Sequence, residues 1–150
     1  MGQRLTMAER TRYNGRDRRA CEVRMDYLNF DLRVSEWNRA AQHAVVEVLS
    51  SPAGESNRLD ALLDIEPHTG PTCPYSTAAL ARQIGETLAR SVMPEQILSL
   101  WHESRQIARA REQGLRLRLH LGSPELTLLP WELLYDARRE DFLVFDEQIS

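Results

Sequence analysis

Lysine is absent from this chain: all 19 basic residues are arginine. That excludes the phosphate loop Gly-x-x-x-x-Gly-Lys, and Gly-x-Gly-x-x-Gly does not occur either. Arginine alone suits bidentate anion recognition, but a GC-rich coding composition produces the same bias and is the expected cause. Cysteine is scarce. Cys21 and Cys73 cannot build a disulfide framework, so a reducing cytoplasm is the default compartment. No apolar run approaches the roughly 18 residues of a membrane helix. Residues 1–24 are polar throughout, which excludes a charged-then-apolar signal sequence there. No Gly-x-Ser-x-Gly elbow offers a serine nucleophile.

What is present is the composition of one globular domain: 150 residues, 42% hydrophobic and 27% charged. The net charge of −3 argues against a generally basic nucleic-acid binder. The charge is uneven. Residues 1–24 hold seven arginines against Glu9, Asp17 and Glu22, a net of +4, so the remainder carries −7. This stretch has no apolar period and reads as a mobile basic arm, or as an extension ahead of an internal start at Met25. Arg16, Arg18 and Arg19 are its candidates for nucleic-acid contact. Tyr13 is the only aromatic near them, so a solvated arm is the expectation and nucleic acid is not an expected partner.

Regular structure is expected from Tyr27. Leu28, Phe30, Leu32 and Val34 alternate with polar residues, the period of a half-buried strand. His43–Leu49 is a second, valine-rich strand, joined to the first as an antiparallel hairpin across Ser35–Gln42. Ser51-Pro52-Ala53-Gly54 suits a type I turn. Leu59, Leu62, Leu63 and Ile65 suggest a short helix or a docked loop, and Pro67, Gly70, Pro71 and Pro74 break any regular element, so residues 55–75 read as a variable loop. A helix is expected from Ser76, with Leu80, Ile84 and Leu88 on one face. Within it Gly85 either costs about 1 kcal/mol or permits close packing. Pro94 opens a second helix in its first turn with Glu95 at the positive end, a stripe of Ile97, Leu100, Trp101, Ile107 and Ala108, and Gly114 after its stop. Leu115–Leu121 alternates strictly and is expected as a central strand. Trp131–Tyr135 reads as a short helix after Pro130, with Trp131 a core anchor, and Phe142–Phe145 as an interior strand. The order implies an α/β fold: an N-terminal antiparallel hairpin, helices, then the first strands of a mainly parallel sheet, which reads as cut in mid-fold.

Few residues offer chemistry. His43, His68, His102, His120, Cys21 and Cys73 show no metal-ligand spacing, and no metal or cofactor is expected. Cys73 with His68, or with His120, is a conceivable nucleophile pair, although a loop cysteine without activation is the simpler reading. Arg116 and Arg118 share a strand face with His120, either as an anion-binding stripe or as a solvated or helix-covered face. Glu132 and Asp136, with Glu125 near, are spaced for acid–base work, but capping and salt bridges to Arg138 or Arg139 are the simpler expectation.

The run LRLRLHLGSPELTLLPWELLYDARREDFLVF resembles the opening of a CHAT domain, the caspase-like domain often found beside TPR repeats. Pro130, Trp131, Glu132, Leu133, Leu134, Tyr135 and Asp136 match its signature helix. The strand at Tyr27–Val34 and the turn at Ser50–Glu55 also look like bacterial members, and the likeness runs over Met25–Ser150. The resemblance implies a caspase-like fold, clan CD cysteine-peptidase ancestry, and bacterial defence or cell-death signalling. It ends before the family's His–Cys dyad, so no catalytic residue transfers, and Pro130–Asp136 carry it as scaffold. Three readings follow: the non-catalytic N-terminal portion of a CHAT-type peptidase, a stand-alone interaction module of a defence system, or a small enzyme using Cys73. The first two imply a protein partner or downstream segment that completes the sheet, or self-association, in the cytoplasm and away from membranes.

Overall fold

A computed structural model describes residues 26–65 and 76–143. Its frame is a four-stranded mixed sheet in the order β3-β2-β1-β4, with two helices. β1 (Tyr27–Asn38) and β2 (His43–Ser50) form the expected antiparallel hairpin, but β1 runs to Asn38, so the connection is tighter than an eight-residue loop. Glu36, at φ +53°, lies where the register shifts between Ser35 and Asn38, and the resulting irregularity lets the strand continue. Gly54 N–H donates to Ser51 O at 3.1 Å, closing the turn expected at Pro52.

The next segment differs from expectation. Leu59–Leu62 is a strand, β3, antiparallel to β2, rather than a helix or loop. Four residues are too few to show a period, and pairing to an available sheet edge decides the conformation. Ala61 faces the core, while Leu62 is 74% exposed on the opposite face.

α1 (Ala78–Val92) begins at Thr77, whose Oγ1 accepts from Leu80 N–H at 3.2 Å. Its buried line is Gly85, Leu88 and Val92; Ile84 is half-buried and Leu80 is exposed. Pro94 caps α2 (Glu95–Ala110), which buries Ile97, Trp101, Ser104, Arg105 and Ala108. The helix ends in a Schellman turn. Gln113 N–H bonds Ala108 O at 2.9 Å and Glu112 N–H bonds Arg109 O at 3.0 Å. The left-handed position is Glu112, at φ +55°, and Gly114 instead opens the next strand, two residues beyond the place expected for it.

β4 (Gly114–Leu121) pairs in parallel with β1 from Tyr27↔Gly114 to Val34↔Leu121. Among the described residues it is an edge strand of the sheet and not a central one. Of the sheet's three pairings this alone is parallel, so the sheet is mixed rather than mainly parallel. Phe30, Leu32, Val34, Val46 and Val48 form the helix-facing layer, and Trp101 of α2 meets the Phe30 ring edge-on at 5.1 Å between centroids.

After β4, 3-10 turns cover Pro124–Leu128 and Trp131–Leu133. Tyr135–Asp136 (β5) and Asp141–Phe142 (β6) then form a small antiparallel pair. Two expectations change here. The helix at Trp131–Tyr135 is one 3-10 turn followed by extended chain. Phe142 belongs to a separate hairpin with Tyr135, not to the main sheet, and its ring meets Tyr135 edge-on at 5.2 Å. Residues 144 and 145 of that expected strand lie outside the described residues, as do the basic arm, Cys21, His68 and Cys73. No helix among the described residues is long and apolar enough to cross a membrane.

Candidate functional site

The segment Pro130–Asp136 packs against α1 and reaches α2 through the Asp136–Arg105 contact. Pro130, Leu134, Tyr135 and Asp136 are buried. Trp131 is half-buried and not a fully buried anchor. Its indole N–H donates to Leu126 O at 2.7 Å, which ties the second 3-10 turn to the first. Leu133 presents its backbone to α1: a Cβ placed on Gly85 would lie 1.9 Å from Leu133 O. Gly85 therefore serves close packing, the second of its two sequence readings. Glu132 is exposed on the outside of the turn.

Asp136 is the segment's buried charge. Its Oδ2 accepts from Arg105 Nη1 at 3.2 Å, and both side chains are almost wholly covered. Its Oδ1 accepts from Arg138 N–H at 3.0 Å. The ion pair thus comes from α2, whereas Arg138 contributes its backbone. Burial lowers the Arg105 pKa, and Arg139 acts in the same direction while Asp136 opposes both. His102 lies one helical turn before Gln106, beside this cluster. Its Nε2 is buried without a partner among the described residues, and burial pushes its pKa below 6.5. Glu132 and Asp136 do not act as a carboxylate pair, because one is solvated and the other is locked to Arg105.

A cleft of about 270 Å3 opens beside this cluster, between the end of α1, the start of α2 and the turn after Tyr135. Met93, Leu98, Trp101, Tyr135 and Leu143 make it mainly apolar, with Arg90, Glu95 and Arg138 as exposed charges. Among the described residues its lining offers the Tyr135 phenol as the one hydroxyl, and no thiol or imidazole to pair with it as nucleophile and base.

The second charged array lies on the sheet face away from the helices. Asp31 projects from β1 and is only 5% exposed. Arg118 Nε and Nη2 each donate to its carboxylate at 2.7 Å, and His120 Nε2 lies 2.8 Å from Oδ1. The Arg118 bonds hold the Asp31 carboxyl below its ordinary range against the opposing effect of desolvation, and His120 adds to the lowering. Arg33–Glu47 at 3.1 Å and His43–Asp60 at 2.9 Å continue the array, and the Arg116 guanidinium lies 4.9 Å from the centre of the Tyr27 ring. The stripe expected at Arg116, Arg118 and His120 is therefore real as a stripe, but Asp31 occupies two of its three members. Asp31 carried no sequence signal beyond its place in an alternating strand.

Among the described residues, no group of three or more His, Cys, Asp or Glu side chains is gathered to hold a metal ion. No protein-family model, curated protein or solved structure matches the chain.

Proposed function

We propose that this chain is a non-catalytic scaffold, the N-terminal portion of a CHAT-type caspase-like protein of bacterial defence or cell-death signalling. Its role is to present a sheet to a partner polypeptide or downstream segment. The observation that carries the reading is how the signature segment spends its polar groups. Asp136 is consumed by Arg105, and the Trp131 N–H by Leu126 O. Both are cross-links of the fold and not groups poised to meet a substrate. The outer edge of β4 supports the same role, since no described strand pairs with it.

A stand-alone interaction module of a defence system is the second reading. It is favoured by the continuity of the buried cluster, which links Val46 of β2 through Trp101 of α2 to Leu134 and Leu143 without recourse to another chain.

Either way the isolated chain should not cleave peptides. A panel of fluorogenic peptides with acidic, basic and small residues before the cleaved bond tests this. Turnover that disappears in Cys73→Ala would overturn the scaffold reading in favour of the small cysteine enzyme. To separate the two scaffold readings, thermal unfolding of the isolated chain is followed by both tryptophan fluorescence and far-UV circular dichroism. Coincident, cooperative transitions support the stand-alone module, and non-coincident ones support a portion that needs its complement.

A further inference from the structure

The outer edge of β4 is a backbone template with a charge preference. Gly114 N–H donates to Asp26 O at 2.9 Å and Gly122 N–H to Val34 O at 2.8 Å. These two bonds bracket the parallel ladder and fix its phase: even-numbered residues bond towards β1. The N–H and C=O groups of Leu115, Leu117, Leu119 and Leu121 therefore point to the outer edge. Their side chains continue the core layer, but only Leu115 is fully buried, and the other three are half-covered. On the opposite face the same strand carries Arg116, Arg118 and His120, all exposed as residues. Asp31 compensates Arg118 and also holds His120, whereas Arg116 lies against the Tyr27 ring with no carboxylate beside it among the described residues. The carboxylates Glu47 and Asp60 sit on β2 and β3, so the positive end of this face is at the β4 edge.

We infer that the β4 edge accepts a strand from another polypeptide whose apolar residues alternate with aspartate or glutamate. The inference rests on the scaffold reading above and names the chemistry of its partner. The apolar positions would extend the layer of Leu117, Leu119 and Leu121, and the carboxylates would lie beside Arg116, Arg118 and His120. Opposite charges on adjacent strands attract, and like charges repel. A second copy is disfavoured for that reason: β4 paired antiparallel with itself sets arginines and histidines of both copies on one face.

The test uses the whole 150-residue chain and two end-blocked nine-residue peptides, one alternating valine with glutamate and the other valine with lysine. Binding is read by fluorescence anisotropy, and hydrogen exchange is followed at the amides of Leu117, Leu119 and Leu121. The glutamate peptide should bind about tenfold more tightly than the lysine peptide, the sum of a few cross-strand charge pairs. It should also slow exchange at those amides. Arg116→Glu, at an exposed position, should narrow or invert the preference without changing the melting temperature. Equal binding of both peptides, or tighter binding of the lysine peptide, overturns the charge rule while leaving the scaffold reading intact. Absence of binding with those amides open overturns the proposed partner. Amides already protected in the chain alone overturn it too, by showing the edge occupied. Concentration dependence of that protection then identifies a second copy, and its absence a segment of the same chain.

Discussion

Burying Arg105 and Asp136 strips two ions of most of their water, and their mutual contact offsets only part of that cost. Removing one partner is therefore worse than removing both. Asp136→Ala should destabilise the chain by about 3–5 kcal/mol by stranding the guanidinium, whereas Arg105→Met with Asp136→Leu should recover most of that loss. Urea unfolding of the three proteins checks this, and equal losses in the single and double variants would show that the pair does not organise the site. His102 beside it gives a pH signature. Burial, with help from Arg138 and Arg105 and against Asp136, lowers its pKa from 6.5. The unfolded chain then takes up the proton at higher pH than the folded one. Stability from this group is complete above about pH 6.5 and falls as pH drops through the window below it. Unfolding midpoints should therefore fall on acidification from neutrality, and His102→Gln should flatten that slope. The motif made Asp136 legible in the sequence, but not its partner. Arg138 and Arg139 adjoin it, while Arg105 lies 31 residues away, and no spacing rule joins them.

Elements with a sustained period were legible. β1 and β4 follow the alternation of Leu28–Val34 and Leu115–Leu121, β2 the valine-rich run His43–Leu49, and both helices form where their apolar spacing places them, although α1 buries Gly85, Leu88 and Val92 and leaves Leu80 exposed. Short elements were not, because pairing decides them. β3 is a strand because β2 offers an edge, and β6 leaves the main sheet because Tyr135 and Asp136 offer another. Alternation also reveals which residues share a face, but not where a strand stands in the sheet, so β4 read as central. Gly85 shows how packing overrides propensity. In an isolated helix alanine would be better by about 1 kcal/mol. Here its Cβ would sit 1.9 Å from Leu133 O, against backbone that cannot swing aside. Gly85→Ala should be destabilising by about 1–3 kcal/mol, through displacement of the Trp131–Leu133 turn. Thermal melting checks the sign, and an unchanged or raised melting temperature would mean that α1 is not pressed on that turn.

At the scale of the molecule the sheet divides two chemistries. One face joins the helices in the apolar core, and the other is a solvated charge layer that ties β1 to β4 through Asp31. That division was legible in the alternation of β1 and β4, because a strand with apolar and charged faces separates them by construction. The pairing across the layer was not, since it depends on the parallel register that sets Asp31 beside Arg118. The layer also fixes where acid should act. Arg118, the opposing desolvation and His120 leave the Asp31 carboxyl below its ordinary 3.8. A carboxyl depressed by folding stabilises the native state fully above its unfolded pKa, and the contribution is lost as pH falls through the lower folded value. Asp31→Asn should cost on the order of 1–2 kcal/mol at neutral pH, the low end for charged hydrogen bonds because Arg118 is half exposed and screened. Acidification should therefore weaken the molecule in two stages. The first, below about pH 6.5, comes from His102 and should persist in Asp31→Asn. The second, below about pH 3.8, comes from Asp31 and should be diminished in that variant. Urea midpoints of both proteins across the acid range separate the stages. A difference between them that stays constant below pH 3.8 would show that the Asp31 contacts do not stabilise the sheet as charged bonds.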